Sequence, residues 1–93
     1  MGTPNIEITD IQYGQFIKIH YPGWDNSWDR YFALDDVNLT NLPNKISVGA
    51  KCSTNYSGKL EDVVIIEVYE GIMLKNHYAE DAKENDDYDF WTK

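Results

Sequence analysis

Residues 14–21, Gly-Gln-Phe-Ile-Lys-Ile-His-Tyr, lie over residues 71–78, Gly-Ile-Met-Leu-Lys-Asn-His-Tyr, without a gap. The correspondence reaches back through Ile8/Ile65, Asp10/Glu67 and Ile11/Val68. Downstream, three extra residues in the second copy bring Trp28-Asp29-Arg30-Tyr31 onto Tyr88-Asp89-Phe90-Trp91. A chain of 93 residues that contains a duplicated unit has room for two small supersecondary elements and little else.

Each copy reads as strand, tight turn at Gly14 or Gly71, strand, polar loop and short aromatic strand, the pattern of a β-meander. Ile17, Ile19 and Tyr21 share one face by period-2 alternation and form a candidate core row that places the Tyr21 ring at the rim of the core. Leu74, Asn76 and Tyr78 are their counterparts, and Phe16, Lys18 and His20 form a mixed opposite face. Between the copies, Ala33 to Leu39 is predicted to make a helical turn around Asp35-Asp36, and Thr40 to Asn44 with Pro43 forms a linker. An additional strand is expected over Ile46 to Cys52, leading through a turn region, Ser53 to Lys59, into Leu60 to Tyr69. The fold class expected is all-β, with one N-terminally incomplete repeat over 5–40 and a second over 45–92, or one composite domain over 5–92. The abrupt start of the first copy at Asn5 suggests an excised fragment, or a meander completed by strands of the second copy.

Three Trp, seven Tyr and three Phe supply much of the buriable area of so small a chain. The formal charge of -8 repels phosphate backbones and favours a Lys/Arg-rich partner, so nucleic acid is an unfavoured ligand. Six carboxylates and a single Lys83 lie between Glu80 and Asp89, a run that a solvated loop would also explain. It lacks the central Gly and closing Glu of a calcium loop. One cysteine, Cys52, cannot form an internal disulfide, and no secretory leader pattern opens the chain, which points to the nucleus or cytosol. The longest apolar stretch, Val63 to Ile66, is strand-sized, so no membrane partner is expected.

The strongest local motif is Tyr21-Pro22-Gly23-Trp24-Asp25-Asn26-Ser27-Trp28-Asp29, three aromatic rings around a short polar turn. Rings set at steep angles around one point present their negative faces to a cation, worth roughly 0.5 to 2 kcal/mol per good contact. Asp25 and Asp29 flank the rings and could pair with an ammonium that still carries a proton, favouring lower methylation states. The competing explanation is that Trp24 and Trp28 only close the small core and that the aspartates are ordinary turn residues. His20 and His77 occupy matching positions but lack the spacing of a metal site, so the repeat itself accounts for them. No phosphate loop, nucleophile elbow or Ser/His/Asp set is present, and neither catalysis, a cofactor nor a metal is expected.

The stretch Phe16 to Tyr31 resembles the chromo-barrel, or Tudor-knot, family, whose members carry a His-Tyr-x-Gly-Trp-x-x-x-Trp-Asp-x-Trp pattern. Tyr31 stands where that pattern closes on Trp. The stretch Ile46 to Lys59 is similar to the opening strand of chromo-barrel and Tudor domains in chromatin proteins of the retinoblastoma-binding type, and MBT domains share the Gly-Trp-Asp flavour. The resemblance implies a small SH3-like barrel, tandem or composite, in which Tyr21, Trp24 and Trp28, with Asp25 beside them, cage a methyl-lysine of a histone tail. It also implies a nuclear location and partners among the subunits of a chromatin complex. A further ring of the family's cage comes from the strand preceding the first hairpin, where the second copy places Leu60 and the first copy has no upstream sequence. In the second copy Glu80-Asp81 replaces Gly-Trp, leaving Tyr78, Tyr88 and Asp81 as a secondary site. A protein-interaction scaffold with degenerate cages and a nucleic-acid-binding Tudor-like module are the alternatives.

Overall fold

A computed structural model describes residues 5–56, 58–80 and 83–93, apart from the side chains of Asn5 and of residues 79–88. The chain is all-β. Its strands are β1 (Asn5–His20), β2 (Arg30–Ala33), β3 (Leu39–Thr40), β4 (Lys51–Tyr56), β5 (Lys59–Glu80) and β6 (Lys83–Thr92), with one 3₁₀ turn at Asn26–Trp28. Hydrogen-bonded neighbours follow the order β2, β1, β5, β4, β3, and β6 pairs with β5. The chain forms two compact units, residues 15–70 and residues 1–14 with 71–93.

In the unit of residues 15–70, β1 pairs antiparallel with β2 from Phe16↔Ala33 to Ile19↔Arg30. β4 pairs with β5 from Lys51↔Val64 to Tyr56↔Lys59. Gly58, with φ +78, precedes β5 in the left-handed conformation that glycine adopts without strain. Ile17, Ile19, Tyr21, Leu39, Cys52, Val63 and Ile65 make one buried cluster, with Phe32, Leu34, Ile46 and Ala50 packed against it. The alternation predicted for Ile17, Ile19 and Tyr21 is therefore the core row of β1. Burial pushes the Cys52 thiol pKa up, keeping the group protonated and unreactive.

In the other unit, β5 pairs with β6 from Leu74↔Thr92 to Tyr78↔Tyr88, with a register shift between Tyr78 and Glu80. Met73 and Asn76 are buried. The Asn76 amide donates to the carbonyls of Leu74 and Phe90 and to Thr92 Oγ1, which satisfies a polar group at a position equivalent to the apolar Ile19.

Four local expectations are corrected. Gly14 and Gly71 make no tight turn; each lies inside one continuous strand, β1 or β5. A Cβ at Gly14 would meet nothing within 4 Å, so that glycine is tolerated in an extended strand without being required there. The helical turn is absent from Ala33–Leu39, where Asp36 N–H donates to Ala33 O and Leu39 N–H to Asp36 O in successive turns. Asp36 also accepts from Asn38 N–H at 2.8 Å, a local bond that competes with helix. The helical turn forms instead at Asn26–Trp28. The strand expected from Ile46 begins only at Lys51, because Ser47 to Ala50 turns through Gly49 at φ +92 and bonds to Ile65 through Gly49 N–H and Ala50 O. The turn region expected from Ser53 to Lys59 is narrower, since Ser53 to Tyr56 belong to β4 and Lys59 already begins β5.

Ile65 and Ile8 are repeat-equivalent but differ in burial, Ile65 being sealed in the core and Ile8 58% exposed. In urea denaturation, Ile65→Ala is expected to cost roughly 2–4 kcal/mol, the usual range for deleting a buried isoleucine. Ile8→Ala should stay within about 0.5 kcal/mol. Equal losses at the two positions would contradict this assignment of the core.

Candidate functional site

The chain leaves β1 at His20 and turns at once. Trp24 N–H donates to Tyr21 O at 3.0 Å across Pro22-Gly23, with Gly23 at φ +85. Proline second and a left-handed glycine third define a type II turn, and only the backbone conformation requires the glycine, because a Cβ there would find open space. Asp25 then caps the 3₁₀ turn, its carboxylate accepting Ser27 N–H at 3.3 Å. Asp29 closes the turn by donating its backbone N–H to Asn26 O, and the chain enters β2 at Arg30.

This backbone path gathers the rings. Tyr21 and Trp24 have centroids 5.8 Å apart with planes tilted by 49°, and Trp24 meets Trp28 edge-on at 5.5 Å and 84°. A fourth ring, Tyr56 at the end of β4, stands 6.2 Å from Tyr21 and 6.1 Å from Trp24 at steep angles of 72° and 70°. With Arg30, these four residues line a small, partly open cleft. Trp24 and Trp28 are 42% and 43% exposed, so they do not close the core. Tyr21 is different. Its ring is 8% exposed and belongs to the core cluster, and its hydroxyl shares a hydrogen bond of 3.3 Å with the sealed Thr54 Oγ1.

Of the residues singled out in the sequence, Tyr21, Trp24 and Trp28 come together, and Asp25 does not line the cleft with them. Asp29 is occupied by His20, whose Nδ1 lies 2.6 Å from its carboxylate. Tyr56, in the stretch Ile46 to Lys59, is a wall that the sequence reading does not single out. Its signal was an aromatic residue ending a strand just before a glycine turn, but the stretch was assigned to the second copy. The strand between the copies thus supplies a ring to the corner of the first. Of the secondary site, Tyr78 is half-buried and pairs in register with Tyr88, while the Tyr88 side chain and Asp81 lie outside the described residues.

The duplication recurs in side-chain geometry. His77 and Asp89 repeat the His20–Asp29 contact at 2.8 Å. Lys75 stands 5.7 Å over the Trp91 ring as Lys18 stands 5.4 Å over Tyr31, each lysine being the cross-strand partner of its aromatic. The two pairs differ in setting: side-chain exposure is 25% and 11% for His20 and Asp29, against 34% and 46% for His77 and Asp89. His20 thus ties the end of β1 to the residue before β2, while His77 bonds its cross-strand partner in β6. Among the described residues no cluster of His, Cys, Asp or Glu is arranged to hold a metal ion.

His20 therefore positions the cleft through Asp29, the residue that closes the turn carrying Trp28. His20→Ala is expected to cost about 1–3 kcal/mol by leaving a largely buried carboxylate without that partner. It should also broaden or shift the Trp28 indole signal in an NMR spectrum. His77→Ala, at the more exposed pair, should cost less than about 1 kcal/mol. An unmoved Trp28 signal in the His20 variant would remove the positioning role.

No protein-family model, curated protein or solved structure matches this chain.

Proposed function

We propose that the cleft formed by Tyr21, Trp24, Trp28 and Tyr56 is an aromatic cage that reads a methylated lysine in a basic peptide. The observation that carries this reading is the four-ring geometry: neighbouring rings at 5.5–6.2 Å, set at 49–84°, around one solvent-open cleft. Aromatic rings gathered around one cleft suit a weakly hydrated cation, since methylation removes the water that an ammonium would have to shed. The two tryptophans keep much of their surface in water, as a binding site requires and a core does not. The net charge of -8 adds long-range attraction for a Lys/Arg-rich tail.

On this reading the protein is a non-enzymatic module of the chromo-barrel or Tudor kind, an SH3-like barrel acting in the nucleus on histone tails as part of a larger chromatin complex. Asp25 and Asp29, the carboxylates flanking the rings, are hydrogen-bonded to Ser27 N–H and to His20. With no carboxylate among its walls, the cleft rewards a quaternary ammonium over one that retains an N–H, so trimethyllysine is the preferred state.

A titration followed by NMR tests this, using trimethyl-, dimethyl- and unmethylated lysine peptides of one basic sequence. The Trp24 and Trp28 indole signals should move with trimethyl- and dimethyllysine peptides and stay still with the unmodified one. Trp24→Ala and Tyr56→Leu should each weaken binding by about 0.5–2 kcal/mol, the value of one cation–π wall. Indole signals that ignore all three peptides would end the reader hypothesis.

A further inference from the structure

The duplicated unit supplies its own template for a strand edge left open in β1. In the second copy, Val63 and Ile65 are sealed in the core, and β4 runs beside them through Cys52↔Val63 and Lys51↔Val64, with Ile65 N–H donating to Ala50 O at 2.9 Å. Their equivalents in the first copy, Ile6 and Ile8, share one row of β1 and are each 58% exposed. The opposite row does not separate the copies in this way, since Ile11 and its equivalent Val68 are both exposed. β5 flanks β1 on one side, where Thr9 Oγ1 donates to Lys75 O at 3.4 Å, and β2 on the other side reaches back only to Phe16. Among the described residues, no strand occupies the β2 side of β1 from Asn5 to Gly14, the place that β4 fills beside β5.

We infer that this open edge is an interaction surface that takes an extended, positively charged strand of a partner protein, completing the sheet as β4 does in the second copy. The inference is independent of the cage. Register supplies the chemistry of the guest. Carried across the repeat, the β4 pairing sets guest residues equivalent to Cys52, Lys51 and Ala50 opposite Ile6, Glu7 and Ile8. Two small apolar residues then cover the isoleucines, and a cation between them faces Glu7, an exposed carboxylate at the position where the second copy has Val64. Burial of the isoleucines supplies affinity, and the opposite charges select the partner. A second copy of the chain does not fit. Its β4 is already paired between β3 and β5. Two β1 edges joined about Ile8 would set Ile6 against Asp10, and joined about Glu7 they would oppose the two carboxylates directly.

The probe is an acetylated, amidated peptide copying residues 48–56 with Cys52→Val, titrated into the full chain and followed by NMR and amide hydrogen exchange. Ile8 N–H, the equivalent of the Ile65 donor, should exchange at least about tenfold more slowly at saturation. A peptide with glutamate in place of its lysine should bind about three- to tenfold more weakly, and Glu7→Lys in the chain should reverse that preference. Ile8→Lys, at an exposed position, should abolish binding while leaving the circular dichroism spectrum unchanged. Peptide-induced shifts confined to residues 15–70, or absent altogether, would overturn the inference. So would a lysine preference that Glu7→Lys leaves unreversed. A dimer in sedimentation that Ile8→Lys dissolves would also overturn it, because the edge would then belong to a second copy.

Discussion

The site depends on the burial of alternate residues along the second half of β1. Ile17 and Ile19 are sealed, and Tyr21, next in the same row, is the last to reach the core. Each fully buried side chain of this kind contributes on the order of 1.5–3 kcal/mol, and a one-residue slip of β1 would turn the whole row outward. The row therefore fixes register, and register fixes where the chain leaves the strand. The Pro22-Gly23 turn starts from that point, and the cleft starts from the turn. Tyr21 is the hinge of this logic: its ring is both a core residue and a cleft wall, anchored through its hydroxyl to Thr54.

Much of this was legible in the sequence. Period-2 spacing identified Ile17, Ile19 and Tyr21, and the turn chemistry of Tyr21-Pro22-Gly23-Trp24 was readable because proline and glycine constrain φ on their own account. The duplication was legible too, and its deepest trace lies in paired side chains: Lys18 with Tyr31 and Lys75 with Trp91, His20 with Asp29 and His77 with Asp89. Such cross-strand pairs are local products of a hairpin, so two similar hairpins reproduce them.

What escaped the sequence was decided at a distance. Gly14 and Gly71 looked like turns because glycine favours them, but long β1 and β5 pass through both, and strand pairing outweighs a permissive residue. Ile46 to Ala50 looked like a strand because Ile46 and Val48 alternate, yet Gly49 in a left-handed conformation turns the segment and hands its hydrogen bonds to Ile65. Tyr56 could not be placed at the cleft by local reasoning. Nothing near it in sequence says that β4 ends beside Trp24; only the pairing of β4 with β5, and the packing of both around the buried row of β1, brings it there.

That last point bears on how portable the cleft is. Four of its walls lie within the contiguous segment 21–30, which invites the thought that a loop could be cut out and grafted onto another scaffold. The fifth, Tyr56, arrives from a separate strand, and Tyr21 holds its angle through Thr54 of that same strand. An excised peptide would keep the tryptophans and lose the angles between them, and ordering the rings would then be charged against each binding event. The cleft is thus a property of the folded unit of residues 15–70, acquired only when contacts remote in sequence have closed, and a protein that loses this fold loses the cleft in the same step.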